Sequence, residues 1–290
     1  MKKLKAHAFG KINLCLEVLG RRDDGYHEVR SVIRSVDIKD EIYVEMSTDL
    51  NVACDSPNIQ GEENIAFHAA RLLQKVGEIK VGASIKIVKG IPIASGFGGG
   101  SSDAAAVLVL LNILWDLNLS NDSLRDIASE VGSDVPFFIE GGTAFVSGRG
   151  EIVRPIPCSQ NSVFLLVSPD IKLENKTAEM YSLLTPLDFT KGGLSRKLEA
   201  RIRQGGDAPT QLLFNVFQEI AIKSHPELME IIDSIKECGA REVFLSGSGP
   251  GLFIPIRDIE TAGILKILLE YKYKISSFVV QTCEAGSVIK

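Results

Sequence analysis

Pro92-Ile93-Ala94-Ser95-Gly96-Phe97-Gly98-Gly99-Gly100-Ser101-Ser102-Asp103-Ala104-Ala105 is the stretch on which the reading of this 290-residue chain turns. Upstream, Ala83–Val88 puts Ile85 and Ile87 on one face, the alternation of a half-buried strand. Downstream, Ala104–Trp115 is the most hydrophobic stretch of the chain and predicts a buried helix, too short to span a bilayer. The glycines at 96, 98, 99 and 100 carry no Cβ to hold an anion away from backbone N–H groups. The helix N-terminus behind them offers free donors and partial positive charge, and Ser101 and Ser102 add hydroxyls. A phosphate is the natural occupant; a glycine-rich turn without a ligand is the structural alternative.

Spacing excludes the other common phosphate motifs. A dinucleotide fingerprint starting at Gly96 needs a glycine where Ser101 stands, and one starting at Gly247 needs it at Leu252. No Gly-Lys-Ser/Thr closes a Walker loop, and the His-Arg-Asp and Asp-Phe-Gly signatures of protein kinases are missing.

Composition narrows the class. Hydrophobic residues at 45% and charged residues at 24% are those of an ordinary globular protein. A net charge of −5 gives no footprint for nucleic acid, and no apolar run approaches the length of a membrane span. The N-terminus, Met1 to Gly10, is basic but lacks the apolar core of a secretory signal. Cys15, Cys54, Cys158, Cys238 and Cys283 are scattered and never form Cys-x-x-Cys, which predicts reduced thiols in a cytoplasmic protein and no zinc site.

Around the loop, strand and helix signals alternate. Asp40–Met46 reads as a strand with Ile42, Val44 and Met46 inward, and Glu63–Val76 as a helix. Ser120–Val131 is a helix capped by Ser120, while Phe137–Ile139 and Thr143–Val146 read as short strands. Arg154-Pro155-Ile156-Pro157 breaks the chain, giving domains 1–155 and 156–290. Beyond it come a strand at Ser162–Val167 and helices at Thr210–Ile222 and Pro226–Glu237. Val243–Ile256 reads as strand, glycine turn and strand, Glu260–Tyr271 as a helix, and Ser277–Thr282 as a closing strand. The sum is an α+β chain of two lobes with a cleft between them.

Two further segments give the loop its context: Ala8-Phe-Gly-Lys11-Ile-Asn13-Leu-Cys-Leu and Phe244-Leu-Ser-Gly247-Ser248-Gly249-Pro-Gly-Leu-Phe. With the loop between them, these resemble the three ordered motifs of the GHMP kinases and cover nearly the whole chain. The resemblance implies a ribosomal S5 domain 2-like N-terminal lobe, a ferredoxin-like C-terminal lobe, ATP as co-substrate and Mg²⁺ bridging its phosphates. Arg22-Asp-Asp-Gly-Tyr26-His27 and Gly132-Ser-Asp134-Val-Pro-Phe-Phe138 resemble the branch that phosphorylates a cytidine diphosphate-linked methylerythritol in isoprenoid precursor synthesis. The loop departs from that branch: Ala94-Ser-Gly-Phe97 stands where the branch usually has Gly-Ala-Gly-Leu, and Ala-Ser-Gly is closer to the mevalonate kinases.

The resemblance assigns roles by position. Asp134, which spacing alone reads as a turn cap, matches the aspartate that takes or orients the acceptor hydroxyl proton. Lys11, otherwise one lysine on an apolar strand, matches the partner that offsets charge on the phosphoryl group. Asn13 shares its strand face and would bond the substrate polyol. Tyr26 and His27 would hold the cytidine end; a surface turn at Asp23–His27 is the structural alternative. Thr177, Tyr181, Gly247, Ser248 and Gly249 would line the substrate side. Asn64 and Lys89 match positions near the nucleotide, and Lys89 also reads as a solvated lysine. The metal's protein ligands stay open, Ser101 or Ser102 being candidates beside water and phosphate. Monomer and homodimer both fit. Another polyol or mevalonate-type acceptor, or a catalytically silent nucleotide-binding regulator, are the rival functions.

Overall fold

The computed structural model describes residues 3–57, 59–158, 160–171 and 176–289. The chain begins with two long antiparallel strands, β1 (Lys3–Arg21) and β2 (His27–Ser47), joined at a turn where Gly25 takes φ +85°. Register shifts at Phe9/Gly10, Asn13/Cys15 and Val18/Gly20 bend this pair, because each bulge adds a residue to one strand and sharpens its twist. The bends let one strand serve three cores. Ala6 and Ala8 enter the first, Ile12 and Leu14 the second, and Leu16 and Val18 the third.

After β3 (Asn51–Cys54) come α1 (Ile65–Val76), β4 (Gly82–Val88), α2 (Gly99–Leu114), α3 (Asn121–Val131) and α4 (Val135–Glu140). β5 (Thr143–Ser147) and β6 (Ile152–Pro155) close this half. The second half runs β7 (Val163–Val167), α5 (Lys176–Ser182), α6 (Gly193–Arg203), β8 (Phe214–Asn215), α7 (Gln218–Ser224) and α8 (Glu227–Glu237). It ends with β9 (Phe244–Leu245), β10 (Leu252–Ile256), α9 (Ile259–Tyr273), β11 (Ser277–Gln281) and β12 (Ser287–Ile289).

Two sheets result. The larger follows the order β12-β1-β2-β4-β3, with β5 pairing the other end of β2, β6 pairing β5, and β8 pairing β1 in parallel. Its inward residues, among them Ile42, Val44, Ile85 and Ile87, pack under α1 and α2. α2 is apolar nearly all round, with Leu108, Leu110 and Leu111 fully buried, as a helix enclosed by its neighbours must be.

The smaller sheet has the antiparallel order β11-β7-β10-β9. That β-α-β-β-α-β path is the ferredoxin-like arrangement. Alternation along its strands separates two faces. Leu165, Val167, Leu252 and Ile254 pack on the helices with Leu228, Ile232 and Leu265. Phe164, Leu166, Phe253 and Val280 face the bent hairpin instead, against Ile12, Leu14 and Val32. The two lobes therefore share a buried apolar interface. The chain end then returns to the first lobe: Thr282 bridges Val36, and β12 pairs β1.

Two sequence expectations are corrected. Phe137–Ile139 lies in helix α4, not in a strand. Residues 135–139 are all buried, and a short apolar run fully inside has no periodicity to separate strand from helix. Pro136 in the first turn supplies the helical φ. Thr210–Ile222 is not one helix. A short 3₁₀ turn at Thr210–Leu212 gives way to β8, whose residues Phe214 and Asn215 pair with Cys15 and Leu16, and only then does α7 begin. The other elements stand where the sequence places them, with α3 capped by the Ser120 hydroxyl, which accepts from the Ser123 N–H.

Candidate active site

The bend in β1 turns Lys11 and Asn13 toward the cleft between the lobes, while Ile12 and Leu14 point to the shared interface. Lys11 Nζ donates to Asn13 Oδ1 at 2.5 Å, Asn13 Nδ2 donates to Ser31 Oγ at 2.9 Å, and Ser31 Oγ donates to the Cys15 carbonyl at 2.7 Å. This chain of donors fixes the lysine, which is only 3% exposed. Across the cleft Asp134 Oδ2 stands 3.5 Å from Lys11 Nζ. Asp134 precedes α4 but makes no side-chain capping bond, so its carboxylate remains available to the cleft.

The glycine-rich loop lies alongside. Gly98, at φ +76°, caps α2, whose first residues are Gly99 and Gly100. Phe97 is fully buried and its carbonyl accepts from the Lys11 backbone N–H at 2.9 Å, locking loop to strand. On the other side, Ser246 Oγ donates to the Gly96 carbonyl and the Gly251 N–H to the Ser95 carbonyl. Gly96 is pressed so close that a Cβ there would sit 2.2 Å from the Ser246 carbonyl oxygen. The third motif is tied in turn by Asn215, whose Nδ2 donates to the Leu245 and Gly247 carbonyls at 2.8 Å each. The Gly249–Pro250 peptide is cis.

All three motifs meet at Lys11. A Cβ on Gly98 would lie 2.9 Å from Lys11 Cγ, and one on Gly247 would lie 3.3 Å from its Nζ. The cleft they enclose measures about 710 Å³, within the range of small-molecule sites. Pro92, Ile93, Ala94, Ser95, Gly96 and Ser101 also face it, as do Thr177, Tyr181, Gly247 and Ser248. Thr177 Oγ1 and Ser248 Oγ are 3.2 Å apart.

Some expected site residues stand elsewhere. Phe97 is core. Ser102 is buried and its hydroxyl donates to the Phe9 carbonyl at 2.7 Å, so Ser101 alone of the pair offers a hydroxyl to the cleft. Tyr26 and His27 are not among the residues lining the cleft; they flank it at the β1–β2 turn. Tyr26 is 52% exposed, with the Arg149 guanidinium 5.1 Å above its ring. The His27 ring packs against Tyr181 with centroids 5.1 Å apart, and Tyr181 abuts Phe217 edge-on at 4.8 Å. Partial burial, and then the charge of Arg21, lower the His27 pKa below its usual 6.5. Burial, aided by the nearby Asp134 charge, pushes the Tyr181 phenol up.

Asn64 lines the cleft while capping α1: its Oδ1 accepts from the Ala66 N–H at 2.9 Å. Lys89 is not a solvated lysine. Its Nζ donates to Asp40 Oδ2 at 2.5 Å and Asp103 Oδ2 at 2.7 Å, and both carboxylates are buried. Burial works against the ammonium, but Asp103 and Asp40 together raise its pKa. Burial and the neighbouring Asp40 carboxylate push the Asp103 pKa well up.

Sequence reading missed Asp40, Asp103, Arg149 and Asn215. Asp103 stood in the quoted motif, where an acidic residue within a phosphate loop and helix is itself a signal. The other three lie far from the motifs in sequence, and only folding brings them to the site.

Comparison with known proteins places the chain in a family. The description "GHMP kinases N terminal domain" matches residues 64–142, and "GHMP kinases C terminal" matches residues 198–268. A 4-diphosphocytidyl-2-C-methyl-D-erythritol kinase of Dehalococcoides mccartyi is 42% identical over 87% of this chain and 89% of its own. One of Clostridium perfringens is 34% identical over 98% of this chain and 100% of its own. A crystal structure of a 4-(cytidine 5'-diphospho)-2C-methyl-D-erythritol kinase superposes with a TM-score of 0.79 at 28% identity, covering 96% of this chain and 98% of that one. A homoserine kinase from Cytophaga hutchinsonii, at 17% identity and a TM-score of 0.78 over 100% and 98% of the two chains, shares the fold.

Proposed function

The chain belongs to the GHMP kinases, and from that premise we propose that it moves the γ-phosphate of ATP to the 2-hydroxyl of 4-diphosphocytidyl-2-C-methyl-D-erythritol. The observation that carries the proposal is the convergence of three glycine-bearing motifs on one buried lysine, with Asp134 3.5 Å away. A regulator that only bound nucleotide would have no need of that pair. The identity to relatives named for this substrate, over nearly whole chains, supports the choice of acceptor.

In this reading the N–H groups of Gly98, Gly99 and Gly100 and the Ser101 hydroxyl hold the ATP phosphates at the α2 N-terminus. Asn13 fixes the polyol. Asp134 takes or orients the proton of the acceptor hydroxyl, whose oxygen attacks the γ-phosphorus in line. The bond to the β,γ-bridging oxygen breaks, its electron pair leaves on ADP, and Lys11 offsets the charge gathering on the transferred group. Thr177, Tyr181 and Ser248 flank the acceptor, with Tyr26 and His27 at the cytidine end.

Among the described residues, no three His, Cys, Asp or Glu side chains cluster as a metal site. The cleft does offer hard oxygen donors in the Ser101 hydroxyl and the uncapped Asp134 carboxylate. These fit a Mg²⁺ held mostly by phosphate oxygens and water, which would neutralise β- and γ-phosphate charge. The reaction is assigned to the cytoplasm, in keeping with five unpaired cysteines; among the described residues no helix is long and apolar enough to cross a membrane.

The proposal is tested by incubating the protein with ATP, Mg²⁺ and either the cytidyl substrate, homoserine or mevalonate. ADP release stimulated by the cytidyl substrate alone is expected. Stimulation by another acceptor instead would move the chain to a different branch, and stimulation by none would favour the regulator.

A further inference from the structure

Lys89, Asp40 and Asp103 form a buried cluster beside the phosphate loop that none of the proposed chemical steps uses. Asp40, at the bend of β2, is fully buried. Its Oδ1 accepts from the Gly90 and Ile91 N–H groups at 2.6 and 2.8 Å, and its Oδ2 from Lys89 Nζ at 2.5 Å. Asp103 projects from the beginning of α2, 1% exposed, and holds the same ammonium through Oδ2 at 2.7 Å. Its Oδ1 is buried and has no hydrogen-bond partner. Lys89 nevertheless lines the cleft. Its ammonium lies under the first turn of α2, so close that a Cβ on Gly99 would sit 3.2 Å from Nζ.

Two buried carboxylates against one ammonium is a costly arrangement, because each charge leaves water and one carboxylate oxygen finds no partner. Hydrophobic residues of similar volume fill such a place at least as well for stability. What apolar packing cannot do is fix the direction of an ammonium. An ammonium has three N–H donors; the two carboxylates take two of them. The third remains, on a lysine that lines the cleft beside the residues assigned to the nucleotide.

Resting on the assignment of the loop to ATP, we propose that Asp40 and Asp103 are positioning residues. They clamp Lys89 between the end of β4 and the first turns of α2, so that a donor and the loop's N–H groups face the nucleotide already in place. Asp103, which also reaches the cleft wall, contributes through its hold on Lys89.

The test reads the dissociation constant of a non-hydrolysable ATP analogue by calorimetry, which does not depend on the acceptor. Failure of the acceptor assignment would leave this measurement standing. Asp103→Ala is expected to weaken the analogue about tenfold, the loss of one charge-assisted hydrogen bond. Asp103→Asn, which keeps an acceptor for Nζ, recovers part of that loss. Lys89→Met weakens binding at least as much, and the double variant Lys89→Met/Asp103→Ala binds like Lys89→Met alone. Affinity losses that multiply in the double variant would overturn the proposal, since Asp103 would then act independently. So would unchanged analogue affinity in an Asp103→Ala protein that melts at lower temperature, the signature of a purely structural role.

Discussion

Replacing Asp134 by Asn changes one charged oxygen for a nitrogen and little else. The residue precedes α4 without a capping bond to it, so the substitution should not unwind the helix. Its ground-state contribution can be bounded. At 3.5 Å from Lys11 Nζ, the pair's attraction is about 5 kcal/mol at an effective dielectric of ~20. The Asp134 side chain is 39% exposed, and solvent screening reduces that ceiling to about 1 kcal/mol. The Tm should therefore move by about 2–4 °C at most. Turnover is another matter. A positioned base contributes about 10²–10⁴-fold, or roughly 3–5 kcal/mol of barrier. The expected result, read as ADP release in a coupled assay at saturating ATP and acceptor, is a kcat lower by about 100-fold or more, with acceptor KM within about threefold. A variant turning over within about threefold of the parent would refute the assignment of Asp134.

Lys11→Met keeps the packing of the aliphatic stem and removes the charge; kcat should fall about 10²–10³-fold. Affinity for a non-hydrolysable ATP analogue should change less than turnover, and equal losses in both would make Lys11 a binding group only. Gly96→Ala forces a Cβ to 2.2 Å from the Ser246 carbonyl oxygen at φ +86°. A loss of about 3 kcal/mol or more follows from strain and overlap, visible as a Tm lower by about 6–10 °C; an unshifted melt would show that loop and third motif are not in contact. His27, its pKa held below 6.5 by burial and Arg21, is neutral at pH 7 and presents both a donor and an acceptor. Protonation removes the acceptor, so KM for the cytidyl substrate should rise as pH falls through the depressed His27 pKa. His27→Phe should raise KM and flatten that dependence; an unaltered pH profile would remove His27 from base recognition. The sign for stability is the same: a depressed histidine pKa favours the folded state above pH 6.5, and that advantage fades as pH falls through the folded pKa.

The phosphate loop was legible because its evidence is local: a strand, four glycines, two serines and a helix in one stretch. Lys11 and Asp134 were not legible from spacing, since a lysine on a strand and an aspartate before a helix have ordinary structural uses. Only the resemblance marked them, and the fold then placed them 3.5 Å apart. Lys89 shows the opposite failure. Its position near the nucleotide came from the resemblance, but its sequence neighbourhood says nothing of Asp40, which lies on another strand, so the buried clamp was not foreseen. Thr210–Ile222 misread for a related reason. Its apolar residues do fit a helix, but pairing of Phe214 and Asn215 with β1, and the hold of Asn215 on the Gly247 turn, outweigh local propensity. Ser101 and Ser102 are adjacent in sequence, and the helix's rotation of about 100° per residue sends one to the cleft and the other to the core.

The claim that joins these observations is that the γ-phosphate ends on the acceptor's 2-hydroxyl. It is tested most directly with γ-labelled ATP and the cytidyl substrate, following the label into product and locating it by phosphorus NMR. One labelled phosphomonoester on the 2-hydroxyl per ADP released is the predicted result. ADP accompanied by free labelled phosphate, or a label on any other oxygen of the acceptor, would contradict it.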